Sequence, residues 1–193
     1  MIHTLHAGAS PAAISPDVAG GDALVVDTVD SPVGALTVIA SARGLRAVLW
    51  PGERYDDRGR VRASHAGGLA TVTHDPDDVM AMTVRQLGEY FDGRRRQFDV
   101  PLDPIGTPFQ LDAWRVLREI PFGQTMTYGE QARALGDANK ARAVGAANGK
   151  NPISIIVPCH RVVGGNGALT GFAGGLDAKS WLLGHERRIA DRS

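Results

Sequence analysis

The 193-residue chain has a single cysteine, Cys159, and no net charge, its 21 basic groups being balanced by 21 acidic ones. One thiol makes no internal disulfide and no thiolate zinc cluster. No run approaches 18 uncharged apolar residues, which excludes a membrane-spanning helix. The opening "MIHTLHAGASPAAISPDVAGGD" lacks a basic start followed by an apolar core, so it does not read as a signal peptide. A reducing, cytoplasmic setting is the expectation. The histidines, at 3, 6, 65, 74, 160 and 185, offer no pair with a metal-ligand spacing, and neither metal nor cofactor is expected.

Charge is unevenly shared beneath the zero total. Residues 1–109 hold 10 arginines against 14 acidic groups, whereas residues 110–193 hold 11 basic against 7 acidic groups. The positive excess falls in the half that contains Cys159, which suits an anionic partner there.

The pattern predicts an α/β chain of the α+β kind, with a small β-sheet-plus-helix unit followed by a mostly helical one. Residues 1–21, rich in Ala, Gly, Pro and Ser, read as a flexible tail. "ALVVDTVDSPVGALTVIASARGLRAVLWPG" reads as three strands joined by a Ser-Pro-Val-Gly turn and an Arg-Gly corner, an antiparallel meander. Residues 53–75 read as a polar loop. A helix should start after Asp75, with Met80, Val84, Leu87, Tyr90 and Phe91 at helical spacing, and stop before Gly93. This places a first domain at 22–100, a linker at 101–106 and a second domain at 107–193.

In the second domain Thr107 caps a helix that has Pro108 at its first position. Thr127 caps the next, with Glu130 in the capping-box place. That helix ends at Gly136, and "DANKARAVGAANGKN" supplies another, so the two form a helix-turn-helix candidate. "PISIIVP" is too short for a helix and too apolar for a surface, and should be a buried segment leading to Cys159. "GGNGALTGFAGG" is a glycine-rich loop without phosphate-binding spacing, and "DAKSWLLGHERRIA" a closing amphipathic helix.

The residues leave Cys159 two readings. A lone cysteine can be a small core hydrophobe. It can equally be a nucleophile, since an imidazole such as His160 can take its proton and a carboxylate can then orient the ring. Neighbours in an extended segment face opposite ways, so a Cys159–His160 contact requires a turn. His185 and Glu186 lie on the last helix, and spacing does not say whether that helix reaches the loop.

"TPFQLDAW", "IPFGQTMTYGEQARALG" and "KARAVGAANGKNPISIIVPCHRVVGGNGALTGFAGGLDAKSWLLGHE" resemble the O6-alkylguanine-DNA alkyltransferases, also called methylated-DNA–protein-cysteine methyltransferases. The Pro-Cys-His-Arg-Val core is the most specific of these stretches, and the match covers residues 107–186. The first domain agrees more loosely with that family's ribonuclease-H-like unit. The resemblance implies that Cys159 takes the alkyl group from O6 of guanine irreversibly, once per molecule, with O4-methylthymine a further substrate. It implies His160 as a water-mediated base oriented by Glu186, and Tyr128 as the group that helps protonate N3 of the departing guanine. Lys179 lies near the leaving group by the same likeness, and Asn151 is the hinge into the site.

Double-stranded DNA with a flipped-out alkylated base is the implied partner. Arg142 matches the finger that fills the vacated place in the stack. Lys140, Lys150, Arg161 and Thr127 are the implied DNA contacts, and small Gly145 and Ala146 allow close approach to the backbone. Val162, Phe172, Ala173 and Trp181 line the implied pocket. Phe172 and Ala173 stand where some members carry tyrosine and serine. The zinc-bound cysteines and second acceptor cysteine of certain relatives are absent, which implies a stand-alone, monomeric repair protein with no obligate protein partner. A non-catalytic DNA binder and a cysteine hydrolase are the rival readings.

Overall fold

The computed structural model describes residues 24–53 and 75–192. The tail expected at 1–21 and nearly all of the loop expected at 53–75 lie outside the described residues.

Strands β1 (Leu24–Val29), β2 (Leu36–Ser41) and β3 (Gly44–Leu49) form the expected meander, in the order β1-β2-β3 and antiparallel throughout. Alternation along β2 sends Leu36, Val38 and Ala40 to one face and Ile39 to the other. A register shift at Ile39/Ala40 interrupts the ladder with β3. Helix α1 (Pro76–Phe91) is capped by Asp75, whose side chain accepts from the Asp77 amide; it packs on the sheet and buries Val79, Met80, Leu87 and Tyr90 in the core. Gly93, at φ 77°, takes the left-handed conformation that stops it.

The mostly helical part begins with α2 (Pro108–Arg118), held by a full capping box between Thr107 and Gln110. Helices α3 (Tyr128–Ala134) and α4 (Ala141–Asn148) follow, with a 3-10 turn at Ala138–Lys140 between them. Thr127 and Glu130 form the capping box expected at the start of α3. Helix α5 (Gly175–Ala190) closes the chain.

A single core crosses both parts, joining Val38, Leu45, Trp50, Leu87 and Tyr90 to Trp114, Leu117, Ile153, Val162 and Leu182. Strand β3 supplies the seam. Leu45 donates to Pro101 O and Val48 to Pro152 O, so residues 101–102 and 152–153 lie against its free edge. Asp103, in the expected linker, accepts from Ser41, Arg43 and Arg46, which pins that segment to the sheet.

Candidate active site

Residues 151–163 are buried along their whole length. Asn151 organises this segment. Its Oδ1 accepts from the Ile153 amide (3.1 Å), while Nδ2 donates to Val157 O (2.8 Å) and to Cys159 Sγ (3.2 Å). Ile155 takes φ 73°, a left-handed conformation that a β-branched side chain adopts only under strain. The resulting tight reversal brings Val157 N back to Ile153 O. A 3-10 turn at Cys159–Arg161 follows, which is the turn that the neighbouring thiol and imidazole require. Beyond it, β5 (Val162–Val163) pairs in parallel with β4 (Met126–Thr127) and carries Tyr128 to the same region.

Glu186 of α5 is fully buried behind this turn. Its Oε1 lies 2.8 Å from His160 Nε2, and Arg161 holds the carboxylate through Nε (2.9 Å to Oε2) and Nη2 (2.9 Å to Oε1). The Gly123 amide (3.0 Å) and Tyr90 hydroxyl (2.9 Å) complete its partners. Burial alone would raise the pKa of Glu186, but His160 and Arg161 outweigh it and hold the group well below the usual carboxylate range. His160 is shifted down, first by burial and then by Arg161 and Lys179, with Glu186 opposing. The ring is therefore neutral at pH 7. An ionised carboxylate only accepts, so Nε2 carries the hydrogen and Nδ1 keeps its lone pair. Nδ1 is buried without a protein partner among the described residues.

Lys179 is also buried, and Nζ donates to Val162 O (2.6 Å) and Thr170 O (2.9 Å). Burial lowers its pKa, while the nearby Cys159 opposes that shift by favouring the charged ammonium. Tyr128 is half-buried with its hydroxyl 3.4 Å from Thr170 O, and Gly145 of α4 packs over its ring. Phe172 stands over the site, 6.5 Å from the His160 ring and edge-on to Trp50 at 5.2 Å, with Ala173 half-buried beside it. Cys159 itself is 7% exposed. The chain thus gathers Cys159, His160, Glu186, Asn151, Lys179, Tyr128, Val162 and Phe172 around one turn.

Two expected residues lie elsewhere. Arg161, expected at DNA, is buried in its ion pair with Glu186 and donates to Ile120 O, so its guanidinium has no face left for a phosphate. Trp181, expected in the pocket, stacks on His185 at 4.7 Å and packs against Phe91, at the junction of α5 with α1. The remaining DNA candidates lie on or beside the helix-turn-helix pair. Arg142, Ala146 and Lys150 are exposed on α4 and just after it, Lys140 precedes α4, and Thr127 caps α3. Gln131 and Asn148 clasp α3 to α4 through paired amide hydrogen bonds, and Trp114 Nε1 donates to Ala147 O. Those clasps, and Tyr90, were missed by sequence reasoning. The helical spacing of Tyr90 signalled core packing, and nothing signalled its hydroxyl contact.

Among the described residues no cluster of His, Cys, Asp and Glu could hold a metal ion, and no helix is long and apolar enough to cross a membrane. A helix-turn-helix surface beside a hydrogen-bonded thiol and a buried His–Glu pair defines a DNA-acting protein with thiol chemistry. Residues 108–188 match the family described as "6-O-methylguanine DNA methyltransferase, DNA binding domain", and residues 24–104 its "ribonuclease-like domain". A methylated-DNA–protein-cysteine methyltransferase of Mycolicibacterium paratuberculosis is 46% identical, with 86% of this chain and 94% of that protein covered. One of Methanosarcina acetivorans is 59% identical over 80% of this chain and 92% of that protein. Mycobacterium tuberculosis OGT, crystallised in complex with DNA, superposes with a TM-score of 0.67 at 42% identity, covering 84% of this chain and 92% of that one. The chain belongs to the O6-alkylguanine-DNA alkyltransferase family, with a DNA-binding domain, direct-reversal alkyl transfer as its activity and Cys159 as its active-site cysteine.

Proposed function

We propose that the protein repairs DNA by moving the alkyl group, mainly methyl, from O6 of guanine, and from O4 of methylthymine, onto Cys159, once per molecule. The observation that carries this reading is the thiol that accepts a hydrogen bond from Asn151 beside the buried His160–Glu186 pair. His160 Nδ1 takes the thiol proton through a water molecule, and Glu186 stabilises the imidazolium that forms. The Asn151 N–H and the Lys179 ammonium favour the thiolate. Sulfur attacks the alkyl carbon, an S–C bond forms, and the C–O6 bond breaks with its electron pair passing to the purine. The Tyr128 hydroxyl delivers a proton to N3 of the departing base and is reprotonated from solvent as the His160 imidazolium gives up the thiol's proton, while Lys179 stands near the leaving oxygen. The thioether has no leaving step, so the acceptor is spent.

The base must be out of the stack to meet the sulfur. Arg142 is exposed near the start of α4 and has no hydrogen bond or ion pair with the described residues, which suits it to fill the gap. Lys140 and Lys150 contact phosphates, and Gly145 and Ala146 let α4 come close to the backbone. The protein acts as a cytoplasmic monomer without cofactor. Duplex DNA with a radiolabelled O6-methyl group tests the proposal. One equivalent of label should move to protein, and Cys159→Ala should bind DNA yet leave the label in place. Demethylation by Cys159→Ala would overturn the assignment. Label retained by DNA with the unaltered protein would favour a damage sensor, and multiple turnovers a hydrolase.

A further inference from the structure

We propose that Tyr90, on α1 of the N-terminal part, is a positioning residue of the relay: its hydroxyl sets how strongly Glu186 draws on His160. This rests on the role of His160 proposed above. Tyr90 is fully buried, and its hydroxyl donates at 2.9 Å to Oε1, the oxygen that also receives His160 Nε2. Oε1 also accepts from Arg161 Nη2 at 2.9 Å, and donors that share one oxygen compete for its charge. The carboxylate's orientation is already held by Arg161 and Gly123, so what Tyr90 adds is control of the charge left for the imidazole. Its backbone is fixed as well, because His185 Nε2 donates to Tyr90 O at 2.8 Å. Burial and the Glu186 charge raise the phenol's pKa well above its ordinary value, so the hydroxyl stays a donor.

The groups facing this pair come from every element packed on it. Arg161 and Cys159 share its turn, Lys179 and His185 come from α5, Tyr90 comes from α1, and the Gly123 amide comes from the segment before β4. Tyr90 is the phenol among them, and the contribution of the ribonuclease-like part to the relay.

A packing role is the competing account, since Phe91, Phe98, Phe122 and His185 all surround the Tyr90 ring. Tyr90→Phe keeps those ring contacts and removes only the donor. More charge then stays on Oε1, so the His160 imidazolium is better stabilised. Replacing Tyr90 by 3-fluorotyrosine does the reverse, because the more acidic hydroxyl donates more strongly while the shape barely changes. Ring 15N NMR of His160 across pH, on the full chain without DNA, reads both. The midpoint should rise by about half a unit or more in Tyr90→Phe and fall in the fluorinated protein. The acid limb of transfer from O6-methylguanine duplex should move with it, its plateau changing less than about threefold because the carboxylate is still held. Unmoved midpoints, or shifts of the same sign, overturn the inference. If Tyr90→Phe does not fold, the sign of the fluorotyrosine shift decides. Midpoints that split as described in a protein that transfers no alkyl group would instead overturn the proposed function.

Discussion

Glu186 draws together Tyr90 of α1, Gly123 of a loop, and His160 and Arg161 of the catalytic turn, all in the protein interior. A charge buried with its partner is costly to strand. Glu186→Gln should therefore destabilise the fold by about 3–5 kcal/mol, because Arg161 then lies buried without its counter-ion; urea denaturation measures it. The same residues set the pH dependence. His160 has a lowered folded pKa, so the unfolded chain binds protons more readily and stability falls as pH drops below about 6.5. The depressed carboxylate of Glu186 contributes stability that is complete above its unfolded value, near pH 4.3, and is lost as pH falls toward the folded one. Urea midpoints measured from pH 7.5 to 4 should decline, and His160→Gln should flatten the upper part of that slope. An unchanged slope would contradict the burial argument. The Pro-Cys-His-Arg-Val stretch made Cys159 and His160 legible, and the family likeness added Glu186. Arg161 was misread because sequence shows a cation's charge but not its burial.

Secondary structure was most legible where local chemistry writes it. Thr107 with Pro108, Thr127 with Glu130, and Asp75 before Pro76 each supply an amide acceptor at a helix start, and each helix begins there. Thr107→Ala should cost about 1 kcal/mol through the lost cap, read as a lower urea midpoint with an unchanged slope. The two-residue strands β4 and β5 left no such trace, since no periodicity exists in so short a run and their pairing joins positions far apart in the chain. The reversal at Ile155 was hidden for the opposite reason, as its residue type argues against the conformation it takes. On α4, Arg142 is exposed while Val144 and Ala147 face the core. Arg142→Ala should slow transfer from duplex DNA by about tenfold or more, and slow transfer from free O6-methylguanine less, because only the duplex must be unstacked. Equal losses on both substrates, measured by single-turnover kinetics, would count against the finger role.

At the scale of the whole molecule, the N-terminal sheet and helix form part of the wall of the site. Trp50, just past β3, donates to Ser154 Oγ, packs against Phe172 and covers Gly174. A Cβ on Gly174 would run into the indole ring of Trp50. Gly174→Ala should therefore cost about 1–3 kcal/mol by overpacking and slow transfer through the displaced Phe172; thermal melting and transfer kinetics test the two effects together. Two parts were expected from the sequence, but the shared core was not, because hydrophobic periodicity does not say which distant elements will meet. The central claim is that Cys159 ends the reaction carrying the alkyl group, and intact-protein mass after exposure to O6-methylguanine duplex tests it most directly. A gain of about 14 Da per molecule, located on the Cys159 peptide and saturating at one equivalent, is the predicted result. Demethylated DNA beside protein of unchanged mass would contradict it.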